Sequence, residues 1–207
     1  VAIRLQLGAD DEAPLRRPAI AAPVMRAYLR GRHLISKRTV PDLLAARSDL
    51  VFAVEAAPDH ASNWASLAEC EMLLAHYGAL DPPGALAECE SHLDRALTLE
   101  PDLAIGLSTR GAVRFFFKRD LRGAAADLER ALSLLPSYSL AMLSLANVCA
   151  VRRQFDEAAA WLDQALLVDP LDHEVGLDGD GVVLEHSAQG RAGDGLRERA
   201  VERGHVD

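Results

Sequence analysis

The chain has 207 residues, half of them hydrophobic but only 5% aromatic, so its apolar content is mainly Ala, Leu and Val, which suits packed helices better than a sandwich of sheets. A net charge of −9 and a pI near 5.2 exclude a phosphate-binding surface spread over the molecule, because nucleic-acid affinity rests on clustered Lys and Arg. Cys70, Cys89 and Cys149 form no CxxC pair and leave one thiol over, so neither a disulfide framework nor a zinc site is indicated, and a cytoplasmic setting is expected.

The chain opens at Val1 without a Met and without a basic start followed by an apolar run, so no signal peptide is read there and the sequence looks cut from a longer protein. Residues 1–22 are expected to lie outside the main domain. Val1 to Leu7 reads either as the tail of a preceding domain or as a disordered amphipathic start, with Gly8 to Ala22 as linker.

From residue 23 to 170 a period organises the sequence. Pro58, Pro101, Pro136 and Pro170 each follow an apolar helical run. Five residues before them stand Ala53, Ala96, Ala131 and Ala165; three further back stand Leu50, Leu93, Leu128 and Leu162; four further still stand Ala46, Cys89, Ala124 and Ala158. Offsets of three and four share one helical face, so each run carries the same stripe of small residue, Leu and small residue. Small side chains let antiparallel helices approach closely, and the proline stops each run.

Four helix pairs are predicted, over 23–57, 61–100, 104–135 and 139–169. In the first, Arg26, Arg30, Arg32, Lys37 and Arg38 form a basic cluster able to dock an acidic neighbour or simply face solvent, and Thr39 is the predicted N-cap of the second helix with Pro41 in its first turn. The second pair is longer, and its extra length is assigned to a loop over Tyr77 to Gly84. The longest apolar stretch, Leu140 to Val151 in the fourth pair, is too short to cross a bilayer, which takes about 20 residues.

Over 171–207 the pattern fails. Gly176, Gly179 and Gly181, at about 1 kcal/mol each relative to Ala in a helix, fall where a fifth pair would start. A Gly-rich loop is expected there, followed over Arg191 to Arg203 by either a short capping helix or a disordered tail.

Catalytic constellations are absent from the reading. Asp178-Gly179-Asp180-Gly181 with Glu185 lacks EF-hand spacing, and Gly179-x-Gly181 lacks the third glycine of a dinucleotide fingerprint. His33, His60, His76, His92, His173, His186 and His205 form neither HExxH nor an i, i+4 pair; His33 and His60 are placed on the surface. Cys89 and Cys149 read as core. No catalytic residue, metal or cofactor is assigned, and the chain is not read as an enzyme.

The first helices carry the second half of the signature. Trp64, Leu67 and Ala68 reproduce a W-x-x-L-(small) opening, Leu107 with Gly111 and Met142 with Leu145 and Ala146 repeat it in weaker form, and Gln154-Phe155-Asp156-Glu157-Ala158 forms the matching inter-helix turn. These residues resemble the tetratricopeptide repeat. That resemblance implies an all-α right-handed superhelix of about four helical hairpins. The string Tyr28-Leu29-Arg30-Gly31-Arg32-His33-Leu34 with Lys37-Arg38-Thr39, and the insertion in the second pair, further resemble the tetratricopeptide module found behind bacterial winged-helix regulators of the acid-response activator type, class III adenylate cyclases and some serine/threonine kinases.

The resemblance implies a protein-binding groove on the inner helices. Positions two, five, nine and twelve of each unit give Ser62, Ala65, Glu69 and Met72; Ile105, Ser108, Ala112 and Phe115; and Leu140, Leu143 and Asn147. This lining lacks the Lys and Arg that clamp a carboxylate tail, so the expected ligand is an apolar or helical protein segment, from a partner or from another domain of the same polypeptide. Contact with nucleic acid or membrane is not expected, and self-association is compatible with the same surface. The expected function is an interaction scaffold serving as the sensory C-terminal module of a bacterial transcriptional regulator or signalling protein; a free-standing assembly or secretion chaperone is the alternative.

Overall fold

Thr39 caps the second helix through local chemistry that the sequence foretells, its hydroxyl accepting the Asp42 N–H at 3.3 Å. Asp120 does the same for a later helix, accepting the Gly123 N–H at 2.9 Å. The computed structural model describes residues 20–168 and two short strands. In chain order the helices are α1 (Ala22–Ser36), α2 (Val40–Ala56), α3 (Ala61–His76), α4 (Pro82–Leu99), α5 (Ala104–Phe116), α6 (Leu121–Leu134), α7 (Ser139–Val151) and α8 (Phe155–Val168).

Each odd helix packs antiparallel on the even helix after it, and α2, α4 and α6 each hand on to the next pair. Odd helices also touch in succession, α1 on α3, α3 on α5 and α5 on α7, so they form one continuous layer with the even helices outside it. This is the stack of helix pairs that the periodicity predicts, in the superhelical arrangement that the resemblance implies.

The small-residue stripe is its core. Ala46, Leu50, Ala53, Cys89, Ala96, Ala124, Leu128, Ala131 and Ala158 have no exposed surface, and Leu93, Leu162 and Ala165 are also buried. Two of the Leu side chains meet a glycine on the facing helix: a Cβ on Gly31 would lie 2.8 Å from Leu50 Cγ, and one on Gly111 would lie 2.8 Å from Leu128 Cγ. Glycine stands there because the Leu fills the space a methyl would need. Gly111→Ala is therefore expected to cost about 1–3 kcal/mol in thermal denaturation, although Ala is the better helix former. Gly84, with no atom nearer than 3.8 Å to its added Cβ, is the control, where the same change should be neutral or stabilising.

The turn inside each pair repeats a backbone feature. Arg38 (φ 55°), Gly78 (φ 70°), Arg119 (φ 55°) and Arg153 (φ 64°) occupy the left-handed region just after the odd helix ends. In the second pair this turn is shorter than the sequence suggests. Pro82, Pro83 and Gly84, assigned above to the loop, form the first turn of α4, since proline at the opening positions has no N–H to lose. Part of the extra length therefore lengthens a helix.

After α8 the Gly-rich segment departs from the loop expected of it. Glu174–Leu177 (β1) and Val183–His186 (β2) pair antiparallel, Glu174 opposite His186 and Leu177 opposite Val183, and β2 lies against α7. Val175, Leu177, Val183 and Leu184 on either side of two Asp-Gly dipeptides are a hairpin signal. The Asp178 to Gly181 stretch, the Arg191 to Arg203 helix and the 1–19 segment lie outside the described residues.

Candidate partner-binding groove

The inner layer brings the expected lining residues together, but mostly as contacts between helices. Ala65, Glu69 and Met72 on α3, Ser108 and Ala112 on α5, and Leu140, Leu143 and Asn147 on α7 are buried. Ser62, Ile105 and Phe115 are half-buried and form the accessible part of the set. Ala65 shares a cluster with Ile105, Met72 shares one with Ala112, and Leu140 and Leu143 share one with Ile105 and Phe115. The Ser108 hydroxyl is buried without a hydrogen-bond partner among the described residues.

A polar bridge crosses this layer. Glu69 on α3, 2% exposed, accepts a hydrogen bond from the Arg32 guanidinium of α1 and, at 3.2 Å, from the Tyr138 hydroxyl just before α7. Burial pushes the Tyr138 hydroxyl well above its ordinary pKa and the Glu69 charge adds to that, so it stays a donor. Burial works most strongly against the Arg32 charge, but Glu69, Tyr138 and Tyr28 together outweigh it and the net shift is upward. The bridge joins the first, second and fourth helix pairs.

Two further buried carboxylates have their own arginines. Glu71, 1% exposed, meets Arg47 Nε at 3.3 Å and His92 Nδ1 at 2.8 Å, while Arg47 also reaches Glu88 at 3.2 Å. Asp127 receives Arg110 through both guanidinium arms, at 2.8 and 2.7 Å, with Arg114 beside it. The basic cluster of α1 is largely engaged within the fold rather than facing a partner: Arg30 pairs with Asp49, Arg32 with Glu69 and Lys37 with Asp42.

His33 is exposed as expected, whereas His60 is half-buried at the start of α3. All three thiols are buried. Cys70 donates to the Leu43 carbonyl at 3.1 Å and Cys89 to the Ala68 carbonyl at 3.3 Å. Burial, reinforced by the neighbouring Glu69 and Glu71, pushes the Cys70 thiol up to about 12, and burial raises Cys89 and Cys149 too. Protonated and enclosed, they pack rather than react. Among the described residues no group of three or more His, Cys, Asp or Glu could hold a metal, and no helix is long and apolar enough to cross a membrane.

No curated protein matches the sequence. Among solved structures the chain is similar to a thermophilic TPR protein of Thermus thermophilus, at 22% identity over 72% of this chain and 75% of that one, with a TM-score of 0.57. It is also similar to an O-GlcNAc transferase mutant from Thermobaculum terrenum, at 20% identity, 71% and 27% coverage and a TM-score of 0.53. A third similar structure is pilF of Pseudomonas aeruginosa, at 19% identity, 72% and 62% coverage and a TM-score of 0.51. The chain spans about a quarter of the transferase and under two thirds of pilF, and at these identities the likeness is one of fold. Residues 118–176 match the family model described as tetratricopeptide repeat, and the helix-pair stack around them has the tetratricopeptide fold.

Proposed function

We propose that the chain is a protein-interaction scaffold whose inner helices α3, α5 and α7 receive an apolar or helical segment of a partner, or of another domain of its own polypeptide. Tetratricopeptide folds in general bind proteins rather than catalyse reactions. The observation that carries the choice of ligand is the charge of the inner layer. Its proposed lining holds one ionisable residue, Glu69, and that residue is already engaged by Arg32. A free carboxylate tail finds no cation there, whereas Ile105 and Phe115 offer half-buried apolar surface beside Ser62.

In this reading residues 23–170 form the binding unit and residues 1–22 are the tail of an upstream domain or a linker from it. The module acts in the cytoplasm as the sensory C-terminal part of a bacterial transcriptional regulator or signalling protein. The coding sequence upstream of Val1 tests that setting, and a winged-helix or cyclase domain there is the expected finding.

Fluorescence anisotropy tests the surface itself. An amphipathic Leu-rich helix should bind, an acidic peptide with a free C-terminal carboxylate should not, and Phe115→Asp should weaken the helix about tenfold or more by removing an apolar contact. Preference for the acidic tail, or binding indifferent to Phe115→Asp, would refute this ligand class.

A further inference from the structure

The turns inside the third and fourth helix pairs lie side by side at one edge of the stack. Arg152, which follows α7, donates to the Leu121 carbonyl at the start of α6 at 2.8 Å and so ties the two turns together. Residues 118–123 and 151–157 place five basic side chains there, Lys118, Arg119, Arg122, Arg152 and Arg153, against three acidic ones, Asp120, Asp156 and Glu157. In a chain of net charge −9 this edge is positive. The helix dipoles do not produce that sign, since α5 and α7 end where α6 and α8 begin and opposite ends offset each other.

The fold uses little of this charge. Lys118 pairs with Glu90, while Asp120 accepts the Gly123 N–H and lies 3.9 Å from Arg114. Glu157 accepts from the Gln154 amide at 3.0 Å. Arg119, Arg122 and Arg153 are exposed and make no ion pair among the described residues. Nor does the backbone call for arginine: Arg119 and Arg153 hold left-handed φ angles of 55° and 64°, where glycine is the residue of least strain, as at Gly78. Apolar surface flanks the arginines. The whole turn from Val151 to Phe155 is exposed, Val151 at 52% and Phe155 at 44%.

We propose that this edge docks a short acidic segment of a partner protein, one in which a bulky apolar side chain stands between carboxylates. The planar fork of arginine takes a carboxylate through two parallel hydrogen bonds, and arginine beside an exposed aromatic ring is the composition of a binding hot spot. Helices in contact lie about 8–10 Å apart, so the equivalent backbone positions of Arg119 and Arg153 are about that far from each other. Carboxylates three residues apart on an extended segment span about 10 Å, which brings the side chain between them onto Val151 or Phe155. Exposed ion pairs contribute little each, so the apolar contact is part of the site and a tail of carboxylates alone does not hold. An anionic membrane or a nucleic acid fits less well, because either draws on a run of basic residues and meets Asp120, Asp156 and Glu157 here. This edge shares no residue with the groove proposed on α3, α5 and α7, and the inference does not depend on that groove.

The test is fluorescence anisotropy on the whole chain with a labelled, C-terminally amidated peptide of Asp-Phe-Leu-Asp repeats. Binding should be saturable and weaken at high salt, and it should fall about tenfold or more in Arg153→Glu and in Phe155→Ser with the helical circular dichroism unchanged. The same peptide with Gly in place of Phe and Leu should bind at least about tenfold more weakly. An unlabelled Leu-rich amphipathic helix, the probe for the groove, should not displace the peptide, so the two readings fail separately. No binding, binding unchanged in Arg153→Glu, equal binding of the Gly peptide or displacement by the groove probe would overturn the proposal. So would sedimentation with phosphatidylserine vesicles, or dimers of the chain, that Arg153→Glu abolishes and that occur without peptide binding; these would assign the edge to a membrane or to a second copy.

Discussion

Leu128→Ala should lower stability by about 2–5 kcal/mol, seen as a fall in Tm of about 4–20 °C for a chain of this size. Leu128 has no exposed surface and fills the space left by Gly111 on the facing helix, with Ala124 and Ala131 a turn away on either side. The cavity has little means of closing, because the helix backbones around it are already in contact through small residues. A double variant with Gly111→Ala should cost less than the two single changes together, since the added methyl occupies part of the vacated space. A loss below about half a kcal/mol for Leu128→Ala would place that side chain away from the helix crossing and undo the register of the third pair.

The second large effect is expected at the polar bridge. Arg32→Met leaves the Glu69 carboxylate, 2% exposed, without its cation and should cost about 3–5 kcal/mol in chemical denaturation. Adding Glu69→Leu should recover most of that loss, because a buried pair replaced by apolar groups of similar size is close to neutral whereas a half-pair is not. If the single change costs under about 1 kcal/mol, the pair behaves as a solvated surface contact.

The helix pairs were legible in the sequence because their signal is steric and recurs. Ala53, Ala96, Ala131 and Ala165 each sit where a larger side chain would hold two helices apart, and all four are buried. The left-handed turns were legible only at Gly78, where the residue type betrays the conformation. Arg38, Arg119 and Arg153 adopt the same backbone without any residue preference to announce it. The proposed groove positions follow from counting along the repeat, but the fate of those side chains does not. Glu69 depends on Arg32, 37 residues before it, and on Tyr138, 69 residues after it, and no local pattern links the three. The strands Glu174–Leu177 and Val183–His186 are harder to read, because Gly176 weakens a strand as it weakens a helix and the hairpin signal lies in the Asp-Gly dipeptides between them.

In most stacked-repeat proteins each unit touches only its neighbours, so the array can fray from either end one unit at a time. The hydroxyl of Tyr138 alters that behaviour by reaching past the third pair to the second. Peeling away α7 and α8 also strips a donor from a carboxylate two units distant, which spreads the penalty of partial opening along the array. Melting is thereby pushed toward a single concerted event.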